Sequence, residues 1–102
     1  MSRFTVLFED GAKIDIADSY DWYKKISETL ANNFLLEIKK TIDYLEINPL
    51  QFKITYKDFR QVPLKKYPFV LVYRIDNNIV KIYRTFPTRK NPNKKPTKIF
   101  SG

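Results

Sequence analysis

The sequence predicts an α+β fold in the order β-α-α-β-β-β, a helical hairpin packed on one face of an antiparallel-rich sheet. Three observations lead there. Apolar residues between positions 12 and 45 recur at helical spacing. After Phe52 the apolar period changes to two. Between these stretches stand short breaks at Gly11, Ser27, Asn48-Pro49, Tyr67-Pro68 and Asp76-Asn77-Asn78.

Each element follows in order. Arg3 to Phe8 is rich in β-formers and reads as a first strand. Glu9-Asp10-Gly11 ends it and offers Asp10 as a helix cap. Ile16, Tyr20 and Tyr23 then fall on one helical stripe, continued by Ile26, with Asp15, Asp18 and Asp21 off it on a solvated face. Trp22 and Tyr23 are assigned to core packing. Ser27 and Glu28 start a second helix, in which Leu30, Phe34, Ile38, Ile42 and Leu45 form one apolar face. Glu37, Lys40 and Asp43 point elsewhere. The helix ends at Asn48-Pro49, because the residue before proline resists the α conformation.

Ile54 to Lys65 reads as one strand, with Pro63 marking an edge or bulge. Phe69, Leu71, Tyr73 and Ile75 alternate with Val70, Val72 and Arg74, the pattern of a central strand. Asp76-Asn77-Asn78 is a hairpin turn, and Ile79 to Phe86 returns. Helices adjacent in sequence cover one face of such a sheet, which leaves the other open to carry charge. Residues 1–92 form the domain, and 93–102 a basic C-terminal tail.

Composition narrows the chemistry. The 102 residues suit one domain. With 43% hydrophobic and 16% aromatic residues, the chain has the material for a core. It has no cysteine and no histidine, which removes disulfides, thiolate or imidazole metal sites and any histidine-based acid or base. No metal or other cofactor is called for. No apolar run approaches the ~20 residues that span a bilayer, so the expectation is a cytoplasmic protein with no membrane partner.

Charge is divided unevenly. Residues 1–52 hold six basic and nine acidic side chains, a net −3. Residues 53–102 hold thirteen basic side chains against Asp58 and Asp76 alone, a net +11. A block so one-sided fits a surface for phosphate or for an acidic protein segment. The arginines of the sheet region, Arg60, Arg74 and Arg84, with Arg89 beyond it, are expected on one face, where their mutual repulsion calls for an anion. Tyrosines 56, 67 and 83 interleave with lysines 57, 66 and 81, a pattern that also stacks nucleobases.

From Phe4 to Pro92 the chain resembles the RelE/ParE superfamily of toxins from type II toxin–antitoxin systems. The resemblance rests on Ala12, Asp15-Ile16, Trp22-Tyr23, Phe34, Ile38, Asn48-Pro49, Arg60, Leu64 and Tyr67-Pro68-Phe69. It continues through Val72-Tyr73-Arg74-Ile75, Ile79, Ile82 and Arg89-Lys90-Asn91-Pro92. It implies a cognate antitoxin as partner, and DNA gyrase or the ribosome and its mRNA as target. RelE-type members cleave ribosome-bound mRNA, which requires proton transfer and phosphate neutralisation. They place an arginine early in the central strand, where this chain has Val70. Many carry a histidine after the last strand, where Pro87 stands here. Arg89 matches a phosphate-binding arginine of the nucleases. The ParE branch has an apolar residue at the Val70 position, a pair like Tyr73-Arg74 and a late arginine like Arg84, and the chain is closer to it. ParE-type toxins act on gyrase without known catalytic residues. By this resemblance Arg60, Lys65, Arg74, Lys81, Arg84 and Arg89 contact the target or phosphate, and the catalytic groups of a nuclease are incomplete. A relative that only binds its antitoxin is the third reading.

Overall fold

Seventeen residues after the first strand adopt one helix because nothing within them interrupts it. The computed structural model describes residues 3–88 and places β1 at Thr5–Phe8, followed by α1 at Asp10–Ile26. Glu9, extended at φ −75°, occupies the capping position and contributes no side-chain cap. Asp10, expected as the cap, is instead the first helical residue, where its charge favours the positive end of the helix dipole. Lys24 and Lys25 complement the other end.

Ser27 is the whole connection between the helices. Its backbone is extended (φ −165°, ψ 129°), which stops α1, and its Oγ accepts from the Leu30 amide at 3.2 Å, which starts α2 at Glu28–Ile47. One residue leaves no slack, so the helices fold back on each other: Tyr20 meets Asn32, and Ile16 lies near Ile42. Ala31, Phe34, Ile38, Thr41 and Leu45 carry the buried stripe of α2. Glu37 joins them at 6% exposure, contrary to its expected outward position.

Pro49–Gln51 forms a single 310 turn, and four strands follow. The expected strand from Ile54 to Lys65 is two: β2 at Ile54–Tyr56 and β3 at Phe59–Pro63. The turn between them sets Lys57 at φ 51°, a left-handed conformation that a lysine does not advertise. It is held from outside, by the Asp58 carboxylate on Arg74. Pro63 falls past the end of β2, where β3 has one neighbour instead of two, so its missing N–H breaks no inner ladder. The central strand β4, Phe69–Asp76, turns through Asn77 (φ 57°) into β5, Ile79–Pro87.

The sheet order is β1-β5-β4-β3-β2. All pairs are antiparallel except β1 with β5, which run parallel from Thr5↔Ile79 to Phe8↔Ile82. Tyr23, Phe34, Tyr67 and Phe69 pack ring to ring within 5.1–6.2 Å at the heart of the core. Leu71, Tyr73, Val80 and Ile82 extend it beneath the helices at 0% exposure. Ile26 and Trp22, expected in the core, are 60% and 57% exposed. Ile26 ends its helix, and Trp22 stands one helical step, about 100°, from the inward-facing Tyr23.

Candidate functional site

A single irregularity in β5 decides where its basic residues go. Val72 pairs with Arg84 and Tyr73 with Ile82, so Tyr83 is an extra residue in the ladder. Tyr83 packs edge-on against Phe59 of β3 at 5.3 Å. Arg84 is delivered to α1, where the Asp15 carboxylate accepts from its Nε at 2.7 Å and its Nη2 at 3.0 Å. The same carboxylate accepts from the Thr85 amide at 2.9 Å. Asp15 is therefore a tie between helix and strand and not a member of a solvated acidic face. The hydrogen bond with Asp15, and then its charge, raise the Arg84 pKa further. Gly11 allows this approach: a Cβ there would lie 3.0 Å from Arg84 Cδ and 3.3 Å from the Tyr83 carbonyl oxygen.

Arg60 lies on the helix-covered side, opposite Tyr73. Its Nη1 donates to the carbonyls of Phe52 at 2.6 Å and Leu50 at 3.2 Å, so it closes the chain exit from the 310 turn onto the sheet. Tyr73 serves the same turn. Its buried hydroxyl donates to the Pro49 carbonyl at 2.6 Å, and burial pushes its pKa up to about 12 against a smaller opposing pull from Arg60.

Arg74 and Lys81 are cross-strand neighbours on the face away from the helices. Arg74 pairs with Asp58 at 3.1 Å and sits over the Phe59 ring at 5.6 Å. Lys81 lies 3.6 Å from Asp76. The two acidic residues of the basic half thus each meet one of these cations. Val70, in the same strand as Arg74, is only 7% exposed. Lys65 is exposed in the loop before β4. Arg89 and the tail 93–102 lie outside the described residues.

The expected convergence of arginines on one face does not occur. Arg60 faces the helix side, Arg84 meets α1, and Arg74 stands with Lys81 on the open face. The charge count alone concealed this, because Arg60 and Arg74 fall at ladder positions that face opposite sides, and Arg84 is taken up by Asp15 of α1. Sequence reasoning also missed Asp15 and Glu37. The signal available for Asp15 was its position one residue before the stripe residue Ile16 at the start of the helix, within reach of the sheet.

A two-helix hairpin lies over a five-stranded mixed sheet, and no helix among the described residues is long and apolar enough to cross a membrane. The family model described as the ParE toxin of the type II toxin–antitoxin system parDE matches residues 6–92, and the chain belongs to that family. Solved structures that share the fold include two toxin–antitoxin systems. One is the chromosomal ParDE toxin–antitoxin system from P. aeruginosa, with a TM-score of 0.76, 19% identity, and 84% of this chain and 97% of that one covered. The other is the RelBE2 toxin–antitoxin complex from Mycobacterium tuberculosis, with a TM-score of 0.58, 20% identity, and 85% and 93% covered. None of the curated protein sequences is similar enough to count as a match.

Proposed function

We propose that this ParE-family toxin inhibits growth by docking on DNA gyrase, and that a cognate antitoxin neutralises it. The observation that carries the reading is how the cations are held. Cleavage of RNA needs free positive charge and an acid–base pair converging on one phosphate. Here Arg60 is spent on backbone carbonyls, while Arg84, Arg74 and Lys81 each face a carboxylate. Val70 is buried where a nuclease of the superfamily would extend an arginine. The half-buried pair Arg74 and Lys81, in the region of Phe59 and Tyr83, suits recognition of a protein surface, with the carboxylates exchanged for those of the target. Lys65 and Arg89 are proposed as further contacts with the target.

The antitoxin reading rests on the same charge split and on the two structural relatives, both toxin–antitoxin systems. An acidic amphipathic segment that orders on binding would cover basic and apolar surface together. The test is a supercoiling assay with purified toxin, run beside mapping of ribosome-bound mRNA. Blocked supercoiling without mRNA cuts supports the proposal. Codon-positioned cuts with unaffected gyrase would place the activity with the RelE-type nucleases, and neither effect would leave antitoxin binding as the sole role.

A further inference from the structure

The helical hairpin has a second site at its turn end, independent of the open sheet face. The last turn of α1, the first half of α2 and the loop before β4 enclose a surface pocket. Its walls include Trp22, Tyr23 and Tyr67; Glu37 lines it, and Lys40 and Lys66 complete its rim. Trp22 stands edge-on to Tyr23 at 5.2 Å, and Tyr23 edge-on to Tyr67 at 5.3 Å, so rings at near right angles surround the space. Tyr67 is fixed in place by its hydroxyl, which donates to the Leu30 carbonyl at 2.9 Å.

Glu37 is the unexplained member. It is more than nine-tenths buried, at 6% exposure. Among the described residues its carboxylate has neither an ion pair within 4.0 Å nor a hydrogen bond, and its carbonyl alone is engaged, by Thr41. Yet its oxygens are not sealed in, since Thr85 Oγ1 is the only fully enclosed side-chain polar atom without a partner among those residues. They open onto the pocket. A buried carboxylate without a partner is costly, and proteins retain one where a cation meets it. Its field reaches the wall: burial first and then the Glu37 charge raise the Tyr67 pKa.

We propose that this pocket receives a guanidinium group, presented as an arginine side chain by a partner polypeptide. The carboxylate supplies the counter-charge and the aromatic rings supply faces for the planar cation. Guanidinium is favoured over ammonium because it stacks on rings and sheds water more readily. A cation site on a chain of net charge +8 runs against the bulk electrostatics and is invisible in composition. Lys40 and Lys66 tune the site by repulsion from the rim.

Trp22 is the one tryptophan of the chain, so its fluorescence reports on the pocket directly. The probes are N-acetyl-argininamide and its neutral isostere N-acetyl-citrullinamide, titrated into the intact chain at physiological salt. A saturable Trp22 response to the arginine probe is expected, with the citrulline probe and the Glu37→Gln chain each roughly tenfold weaker or worse. The double variant Lys40→Gln/Lys66→Gln should bind the arginine probe more tightly. An absent or non-saturating response, equal binding of citrulline, or binding lost in the double lysine variant would overturn the proposal. If Glu37→Gln does not fold, the citrulline comparison on the unaltered chain decides alone.

Discussion

Asp15 and Arg84, 69 residues apart, form a two-point hydrogen-bonded ion pair that pins the first half of α1 to the bulge in β5. Because Asp15 also accepts from the Thr85 amide, removing it leaves both a cation and a strand N–H without their partner. Asp15→Ala is expected to cost about 1.5–3 kcal/mol in denaturant unfolding, the range for hydrogen bonds to charged groups. Arg84→Ala should cost less, since its side chain is 64% exposed and the Thr85 contact survives. Equal losses in the two variants would show that the amide contact contributes nothing.

Arg60 and Arg74 separate stability from function. Arg60→Ala frees the Leu50 and Phe52 carbonyls and should lower stability by about 1–3 kcal/mol. Arg74→Ala breaks a pair whose side chains are 40% and 59% exposed, and should change stability by less than about 1 kcal/mol. In a growth assay after induction, Arg74→Ala is expected to relieve toxicity without lowering the melting temperature. Single Lys→Gln changes at Lys65 or Lys81 should relieve it less, because one lysine among several is replaceable while a fixed arginine fork is not. Full toxicity in Arg74→Ala would remove that residue from the contact surface.

Tyr73 sets an alkaline limit. Its folded-state pKa is about 12, against an ordinary value of 10.0. The folded chain therefore holds this proton more tightly than the unfolded one. The stability this contributes is complete below pH 10.0 and is lost as pH rises towards about 12, by up to about 1.4 kcal/mol per unit. Tyr73→Phe should be less stable near neutrality, because the Pro49 carbonyl loses its donor, and its stability should fall less steeply across that alkaline window. Parallel urea titrations from pH 9 upward check both parts; identical slopes would refute the second.

Phe34 tests the core. At 0% exposure, with Tyr23, Tyr67 and Phe69 around it, Phe34→Ala is expected to cost about 3–5 kcal/mol. A loss under about 1 kcal/mol would mean that the ring cluster repacks around the gap.

Much of this architecture was readable from local pattern. Phe34, Ile38 and Leu45 declare the buried face of α2 because helical periodicity repeats over several turns. Ser27, Pro49 and Asn77 mark their breaks because each has a backbone or side-chain chemistry suited to one. The Lys57-Asp58 turn is signalled by Asp58 alone and puts the positive φ on a lysine, while Asp58 pairs with Arg74 sixteen positions away. The outward Trp22 and the inward Glu37 defeat a hydrophobicity rule, since what decides them is the end of the hairpin where they meet the loop before β4. The bulge at Tyr83 leaves no mark in the period, and uninterrupted alternation from Ile82 would turn Arg84 inward, away from the face of Lys81 and Arg74. The candidate site was thus legible in its residue types but not in its grouping, because grouping depends on register and register is a tertiary property.

The parallel pairing of β1 with β5 sets the order in which the molecule can be finished. The first of the described strands, Thr5–Phe8, hydrogen-bonds to the last of them, Ile79–Pro87, and the Thr5 amide reaches the Asn78 carbonyl. During translation the N-terminal strand waits without a neighbour while both helices and three strands emerge. A chain truncated before Ile79 keeps its hairpin but lacks the strand that joins β1 to the rest of the sheet. Chains released before β5 is made should therefore be open-edged, protease-sensitive fragments.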